Sequence, residues 1–88
     1  MGNTLEFRLP QIPVTISIRF HRKGDQVHWR PSHAIKTPLQ LGPYRTSKPF
    51  HDTEDGAVRR AVVMELWHYY DAAVKSGHKP DMSWLVPY

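Results

Sequence analysis

The chain has 88 residues, with 12 Lys and Arg, eight Asp and Glu, and no cysteine. This length predicts one small domain spanning residues 1–88, because a chain this short has material for a single core. The absence of cysteine excludes disulfides, thiolate metal sites and thiol nucleophiles. No secretory leader and no apolar run of membrane-spanning length is recognisable, so we expect a cytoplasmic protein with no membrane partner.

Positive charge is concentrated in the first part of the chain. Residues 1–50 carry eight Lys and Arg against two acidic residues, whereas residues 51–88 carry four against six. A strongly basic part of a small domain is a reason to expect an anionic partner.

Alternation of apolar and polar residues predicts three strands near the beginning of the chain. Thr4–Leu9 alternates in this way, and so does Val14–Arg22 after a proline-bounded bend. Gly24 and Asp25 then form a tight turn, in which glycine can take the positive φ that a hairpin requires. Gln26–Arg30 is the third strand and pairs with the second.

The length of this turn decides which side chains face each other across the hairpin. An even-numbered loop pairs Phe20 with Trp29 and keeps the apolar residues of both strands on one face. The opposite face then carries three cross-strand pairs, namely Arg19 with Arg30, His21 with His28, and Lys23 with Gln26.

Residues 31–50 contain four prolines and are predicted to form mainly a loop. Within this segment the stretch Thr37–Gly42 (TPLQLG) is predicted as a short edge strand. The loop also carries three cations, which are Lys36, Arg45 and Lys48.

A long amphipathic helix is predicted over residues 53–76, with Asp52 or Thr53 as the N-cap and Gly77 as the left-handed C-terminal cap. A wheel at about 100° per residue divides its side chains into two halves. The half expected to pack on the sheet holds Val58, Val62, Val63, Leu66, Trp67, Tyr69, Tyr70, Ala73 and Val74. The other half holds Arg60, Ala61, Met64, Glu65, His68, Asp71, Ala72 and Lys75.

These elements together predict an α+β fold. A small antiparallel sheet of three to four strands, with its hairpin at residues 14–30, packs against one long helix over about residues 53–76. A short tail, residues 77–88, follows as one helical turn or a short strand, and Trp84 and Leu85 complete the core.

The outward face of the hairpin gathers cations with no carboxylate between them except Asp25 in the turn. We call this set the ribbon face; it consists of Arg19, His21, Lys23, His28 and Arg30. Like charges directly opposite each other destabilise a ribbon by about 0.2–1 kcal/mol per pair, although edge strands also use cations to prevent sheet addition.

An anionic partner would turn this repulsion into attraction. We therefore interpret the chain as a non-enzymatic module that binds nucleic acid, or an acidic site on a nucleic-acid-handling protein. Four further cations are expected to assist, which are Arg22, Lys36, Arg45 and Lys48.

The order of sheet then long helix, with cationic strand positions, resembles in architecture the DNA-binding domains of plant ethylene-response factors and of phage integrase arms. The resemblance covers about Val14–Gly77 and implies contact with the major groove through the sheet. Those domains also use tryptophan projecting from the sheet. Trp29 departs from that pattern because alternation places it on the inward face, so no base-contacting role is carried over to it.

Two other functions remain as alternatives. A compact chain without a catalytic motif is also typical of phage or mobile-element inhibitors that act by protein–protein binding, as anti-CRISPR proteins do. The second alternative is a small metal-independent ribonuclease that uses histidine, arginine and Tyr44.

A metal site is a weaker hypothesis. His21 and His28 could share a metal with His33 as a third ligand, but no motif with metal-ligand spacing is present, and neighbouring arginines disfavour a further cation. We therefore expect no metal and no cofactor. Met64, beside Ala61 and Ala72, is a candidate contact for a homodimer or another partner.

Overall fold

The computed structural model describes residues 2–88 and has the predicted α+β architecture. Its strands are β1 (Gly2–Phe7), β2 (Ile16–Lys23), β3 (Gln26–Pro31), β4 (His33–Ile35), β5 (Phe50–His51) and β6 (Leu85–Pro87). Four of them form an antiparallel sheet in the order β1-β2-β3-β5, and β4 pairs with β6 in a separate two-stranded sheet.

The hairpin has the predicted register. Phe20 pairs with Trp29 and Arg22 with Val27 around a two-residue turn at Gly24 and Asp25. Gly24 has φ of 62°, and it alone of the two turn residues has a positive φ, as in a type II′ turn.

One continuous helix, α1 (residues 54–75), follows β5. It is an α-helix over Glu54–Val58, a π-helix over Arg59–Trp67 and an α-helix again over His68–Lys75. The Thr53 side chain accepts a hydrogen bond from the Gly56 N–H and caps its N-terminus.

The C-terminus of α1 ends in the predicted left-handed glycine. Gly77 has φ of 93°, and its N–H donates to the Val74 carbonyl at 3.0 Å. The His78 N–H donates to the Ala73 carbonyl at 3.0 Å, which completes a Schellman motif.

The core lies between the inner face of the sheet and α1. The sheet contributes Ile16, Ile18, Phe20, Val27 and Trp29, and the helix contributes Ala57, Ala61, Leu66, Tyr70 and Ala73. Trp84 and Leu85 are also buried there, as predicted, and the tail forms both a 3-10 turn (Met82–Trp84) and a strand.

The predicted helical wheel is wrong in the middle of α1. Trp67, predicted to pack on the sheet, is 40% exposed, whereas Ala61 and Glu65, predicted on the solvent half, are buried. A single wheel does not fit this helix, because the i→i+5 hydrogen bonds of the π-helical segment rotate the side chains after it relative to those before it. Val58, Val63 and Val74 are likewise substantially exposed.

The prediction of a strand at Thr37–Gly42 is also wrong, because these residues form a turn. In residues 32–50 the structure has strands only at His33–Ile35 and, at the far end, at Phe50. Pro38 has no N–H to give to a ladder, and the Gln40 side chain instead accepts from the Thr37 N–H and donates to the Ile35 carbonyl.

Strand limits near the first bend differ by two residues from the prediction. β1 ends at Phe7 and β2 begins at Ile16, while Leu9 and Ile12 are buried from the bend itself. No helix among residues 2–88 has both the length and the apolar character needed to cross a bilayer.

Candidate nucleic-acid interface

The hairpin places all five residues of the ribbon face on the side of the sheet away from α1. Arg19 pairs with Arg30 and His21 with His28, as predicted, while the residues between them in sequence point into the core. Arg19, His21, Lys23 and Arg30 are exposed, and His28 is partly buried.

The two histidines of the ribbon face contact each other and a third ring. His21 and His28 are stacked with ring centroids 5.4 Å apart, and His28 lies 5.3 Å from the Phe50 ring. Phe50 reaches this position because it pairs with His28 in the β3–β5 ladder. Three flat rings therefore form a row across β2, β3 and β5.

The cations of the ribbon face are not neutralised within the described part of the chain. The ion pairs found among residues 2–88 join Arg22 to Glu54 at 3.8 Å and Lys75 to Asp71 at 2.9 Å. Glu6 shares the outward side of β1, opposite Ser17, but forms no ion pair with Arg19. The surface is thus positive, with Glu6 at one margin and Asp25 in the turn at one end.

Two shallow grooves flank the ribbon face and share His21 and Arg30. One, of about 390 Å³, is lined by Asn3, Thr4, Arg19, Phe20, His21 and Arg30. The other, of about 470 Å³, is lined by His21, His28, Trp29, Arg30, Pro49 and Tyr88.

Of the four assisting cations, Arg45 and Lys48 lie next to the second groove. The Arg45 Nη2 donates to the Pro87 carbonyl at 2.8 Å, and its guanidinium lies 5.9 Å from the centre of the Tyr88 ring. Lys48 is exposed and directly precedes Pro49 of that groove.

The structure does not bring Arg22 or Lys36 onto the ribbon face. Because side chains alternate along a strand, Arg22 lies on the helix side of β2, where it pairs with Glu54. Lys36 follows β4 in the second sheet and its N–H donates to the Trp84 carbonyl at 2.7 Å. His33 belongs to that second sheet and its Nδ1 hydrogen-bonds with Ser32 Oγ at 2.7 Å.

Sequence reasoning missed the aromatic part of this surface. Phe50 and Tyr88 are isolated aromatic residues in segments predicted as loop and tail, and no local pattern places them beside the hairpin. Among residues 2–88, no group of three or more His, Asp or Glu is arranged to hold a metal ion.

Comparisons with protein-family models, with curated protein sequences and with solved structures found no match to this chain. Interpretation of the site therefore depends on its geometry alone.

Proposed function

We propose that this protein binds nucleic acid through the ribbon face. The observation that carries the proposal is that Arg19, Lys23 and Arg30 project together into solvent, with no carboxylate at ion-pair distance among residues 2–88. Closely spaced cations without internal counterions are what a phosphate backbone requires of a protein surface.

Protection of a sheet edge is a poor explanation for these cations. β2 and β3 are the two inner strands of the sheet, with β1 and β5 outside them. Cations that prevent sheet addition belong on the edge strands. The Arg19–Arg30 pair joins the two inner strands and costs stability, and an anionic ligand would offset that cost.

The rings beside the cations favour nucleic acid over other polyanions. The His21–His28–Phe50 row and the Tyr88 ring border the grooves that Arg30 lines. Nucleobases stack on such rings while the phosphates contact neighbouring arginines.

The test is the salt dependence of binding to labelled duplex DNA, single-stranded DNA and single-stranded RNA. If three cations each neutralise one phosphate, the log–log slope for duplex should be about −2 to −3. Arg19→Gln/Arg30→Gln should reduce the magnitude of that slope by about 2, because two phosphate contacts are lost. Fluorescence anisotropy across a salt series measures both slopes.

The matched control is Lys75→Gln/Lys79→Gln, which removes the same net charge from the end of α1 and the following loop. It should leave the slope unchanged. Equal losses in the two double variants, or binding that does not respond to salt, would contradict nucleic-acid binding by the ribbon face. Gel analysis of the RNA after incubation distinguishes binding from cleavage.

A further inference from the structure

A second pocket lies on the helix side of the molecule, apart from the ribbon face. It has a volume of about 640 Å³, within the usual range for small-molecule sites. Its lining residues are Tyr44, His51, Gly56, Arg59, Arg60, Met64, Glu65, His68 and Tyr69, none of which belongs to the ribbon face. We call it the Glu65 pocket.

Glu65 is the acidic group of this pocket, and only one of its two carboxylate oxygens is hydrogen-bonded. The side chain is buried, with 6% of the residue exposed, and its Oε1 accepts a hydrogen bond from Trp29 Nε1 at 3.4 Å. Its Oε2 is buried and has no hydrogen-bond partner among residues 2–88. Burial raises the pKa of this carboxyl, so its charged form lowers the free energy of unfolding.

Glu65 lies in the π-helical middle of α1 and lines the pocket from there. π-helical turns are rare and occur frequently at functional sites, since they reposition side chains that an α-helix would direct elsewhere. The same segment, Arg59–Trp67, carries both arginines of the pocket.

The cations of the pocket are Arg59 and Arg60. The Arg60 guanidinium lies 6.0 Å from the centre of the Trp29 ring, and its charge opposes the rise in the pKa of Glu65 without forming an ion pair. Arg59 is exposed. Both guanidiniums are therefore available to an anionic group.

His51 is held in a defined orientation at the side of the pocket. The Thr53 N–H donates to its Nδ1 at 3.2 Å, which leaves Nε2 as the donor of the neutral ring. A Cβ at Gly56 would overlap the His51 imidazole, so glycine at this position lets the ring keep the orientation that it has here. Glycine inside a helix costs about 1 kcal/mol relative to alanine, and here it makes room for an imidazole.

Aromatic rings form the remaining wall. Tyr44 and Tyr69 have ring centroids 5.1 Å apart, and His68 contacts Tyr69 edge-on at 5.6 Å. Burial, and then the neighbouring Tyr44 and Glu65, raise the pKa of Tyr69, so Tyr69 lies close to both of these pocket groups.

We propose that the Glu65 pocket binds a nucleoside monophosphate, with guanylate preferred. The phosphate contacts Arg59 and Arg60, the base lies along the Tyr44–Tyr69 wall, and the Glu65 carboxylate accepts from the base. Guanine presents two adjacent N–H donors on one edge, which a single carboxylate can accept together. This contact takes a rotation of the Glu65 side chain toward the pocket, which exposes Oε2 and releases the long hydrogen bond from Trp29 Nε1 to Oε1.

This inference does not depend on the ribbon face. Isothermal titration of the full chain with GMP, IMP, AMP and inorganic phosphate tests it directly. GMP should bind at least about tenfold tighter than AMP, the discrimination expected of a bidentate hydrogen-bonded pair. IMP, which keeps one of the two donors, should be intermediate, and inorganic phosphate should be weakest.

Two variants locate the site. Glu65→Gln keeps the shape but replaces one acceptor by a donor, so it should abolish the preference for GMP over AMP. Arg59→Ala, at an exposed position that does not support the core, should weaken all nucleotides by about tenfold through loss of a charged hydrogen bond. Lys79→Ala, outside the pocket, should change neither property.

Circular dichroism of each variant establishes that it is folded before titration. Equal affinity for the four probes, no saturable binding at millimolar nucleotide, or an unchanged GMP preference in folded Glu65→Gln would each overturn the proposal.

Discussion

At the scale of single residues, the most informative side chain is Glu65. A buried carboxyl with one oxygen unpartnered among residues 2–88 is rare in folded proteins, because desolvation of the charged form is not compensated. The wheel placed Glu65 in solvent, and that error has a definite origin in the π-helical segment. No side-chain pattern in the sequence predicts where a helix changes from i→i+4 to i→i+5 hydrogen bonds.

Glu65→Gln should stabilise the protein in a pH-dependent way. The pKa of Glu65 is raised from 4.5 in the folded chain, so below that value the carboxyl is neutral in both states and costs nothing. As pH rises from 4.5 through the raised folded pKa, the unfolded chain loses its proton first and wild-type stability declines. Above that range the variant should be more stable by about 1 kcal/mol.

Urea denaturation of wild type and variant from acid to mildly alkaline pH measures this difference. Glu6→Gln is the matched control, because Glu6 is exposed and forms no ion pair. A Glu65→Gln difference that stays constant with pH would show that the carboxyl titrates normally.

At the scale of elements, the hairpin was predicted more completely than any other part. Alternation in both strands together with an even-numbered turn fixed its register, since a slip of one residue would have buried Arg19 and exposed Phe20. The ribbon face followed from that register. Arg22, which was expected to assist the ribbon face, lies on the other side of β2, as alternation assigns it, and pairs there with Glu54.

Gly24→Ala should destabilise the protein by about 1–2 kcal/mol, because Gly24 has φ of 62° and an L-residue is strained there. Gly42→Ala is the matched control. A Cβ at Gly42 meets nothing within 4 Å, and the φ of Gly42 lies outside the strained range. The Gly42→Ala variant should therefore be as stable as the wild type. Thermal unfolding of both variants followed by circular dichroism measures the difference, and equal stabilities would contradict the turn assignment.

At the scale of the whole molecule, the C-terminal tail closes the core that the hairpin and α1 leave open. Trp84 is buried against Tyr70, and β6 completes a second sheet with β4. The same closure brings Tyr88 and Arg45 beside the ribbon face. The stability of the core and the position of Tyr88 in the candidate interface therefore depend on the same tail.

Trp84→Ala should lower the free energy of unfolding by about 3–5 kcal/mol, since it removes a large buried ring. Trp67→Ala is the matched control, because Trp67 is 40% exposed whereas Trp84 is 3% exposed. Trp67→Ala should cost less than half as much. Urea denaturation gives both values, and similar losses for the two variants would contradict the described packing of the tail.

The charge asymmetry along the chain separates two parts of the fold. The residues of the ribbon face project from β2 and β3, whereas six of the eight acidic residues belong to residues 51–88, which carry α1 and the tail. Arg22, Arg59 and Arg60 lie on the helix side, so that side is of mixed charge.

The sequence by itself determined the α+β class, the hairpin with its register, the ends of the long helix and the cationic sign of one face. These follow from local rules, because alternation, caps and turn glycines act over a few residues. Tertiary structure alone decided the π-helical middle of α1, the placement of Phe50 and Tyr88 beside the cations, and the Glu65 pocket. Each of these depends on how distant segments share one small core, and no short stretch of sequence contains that information.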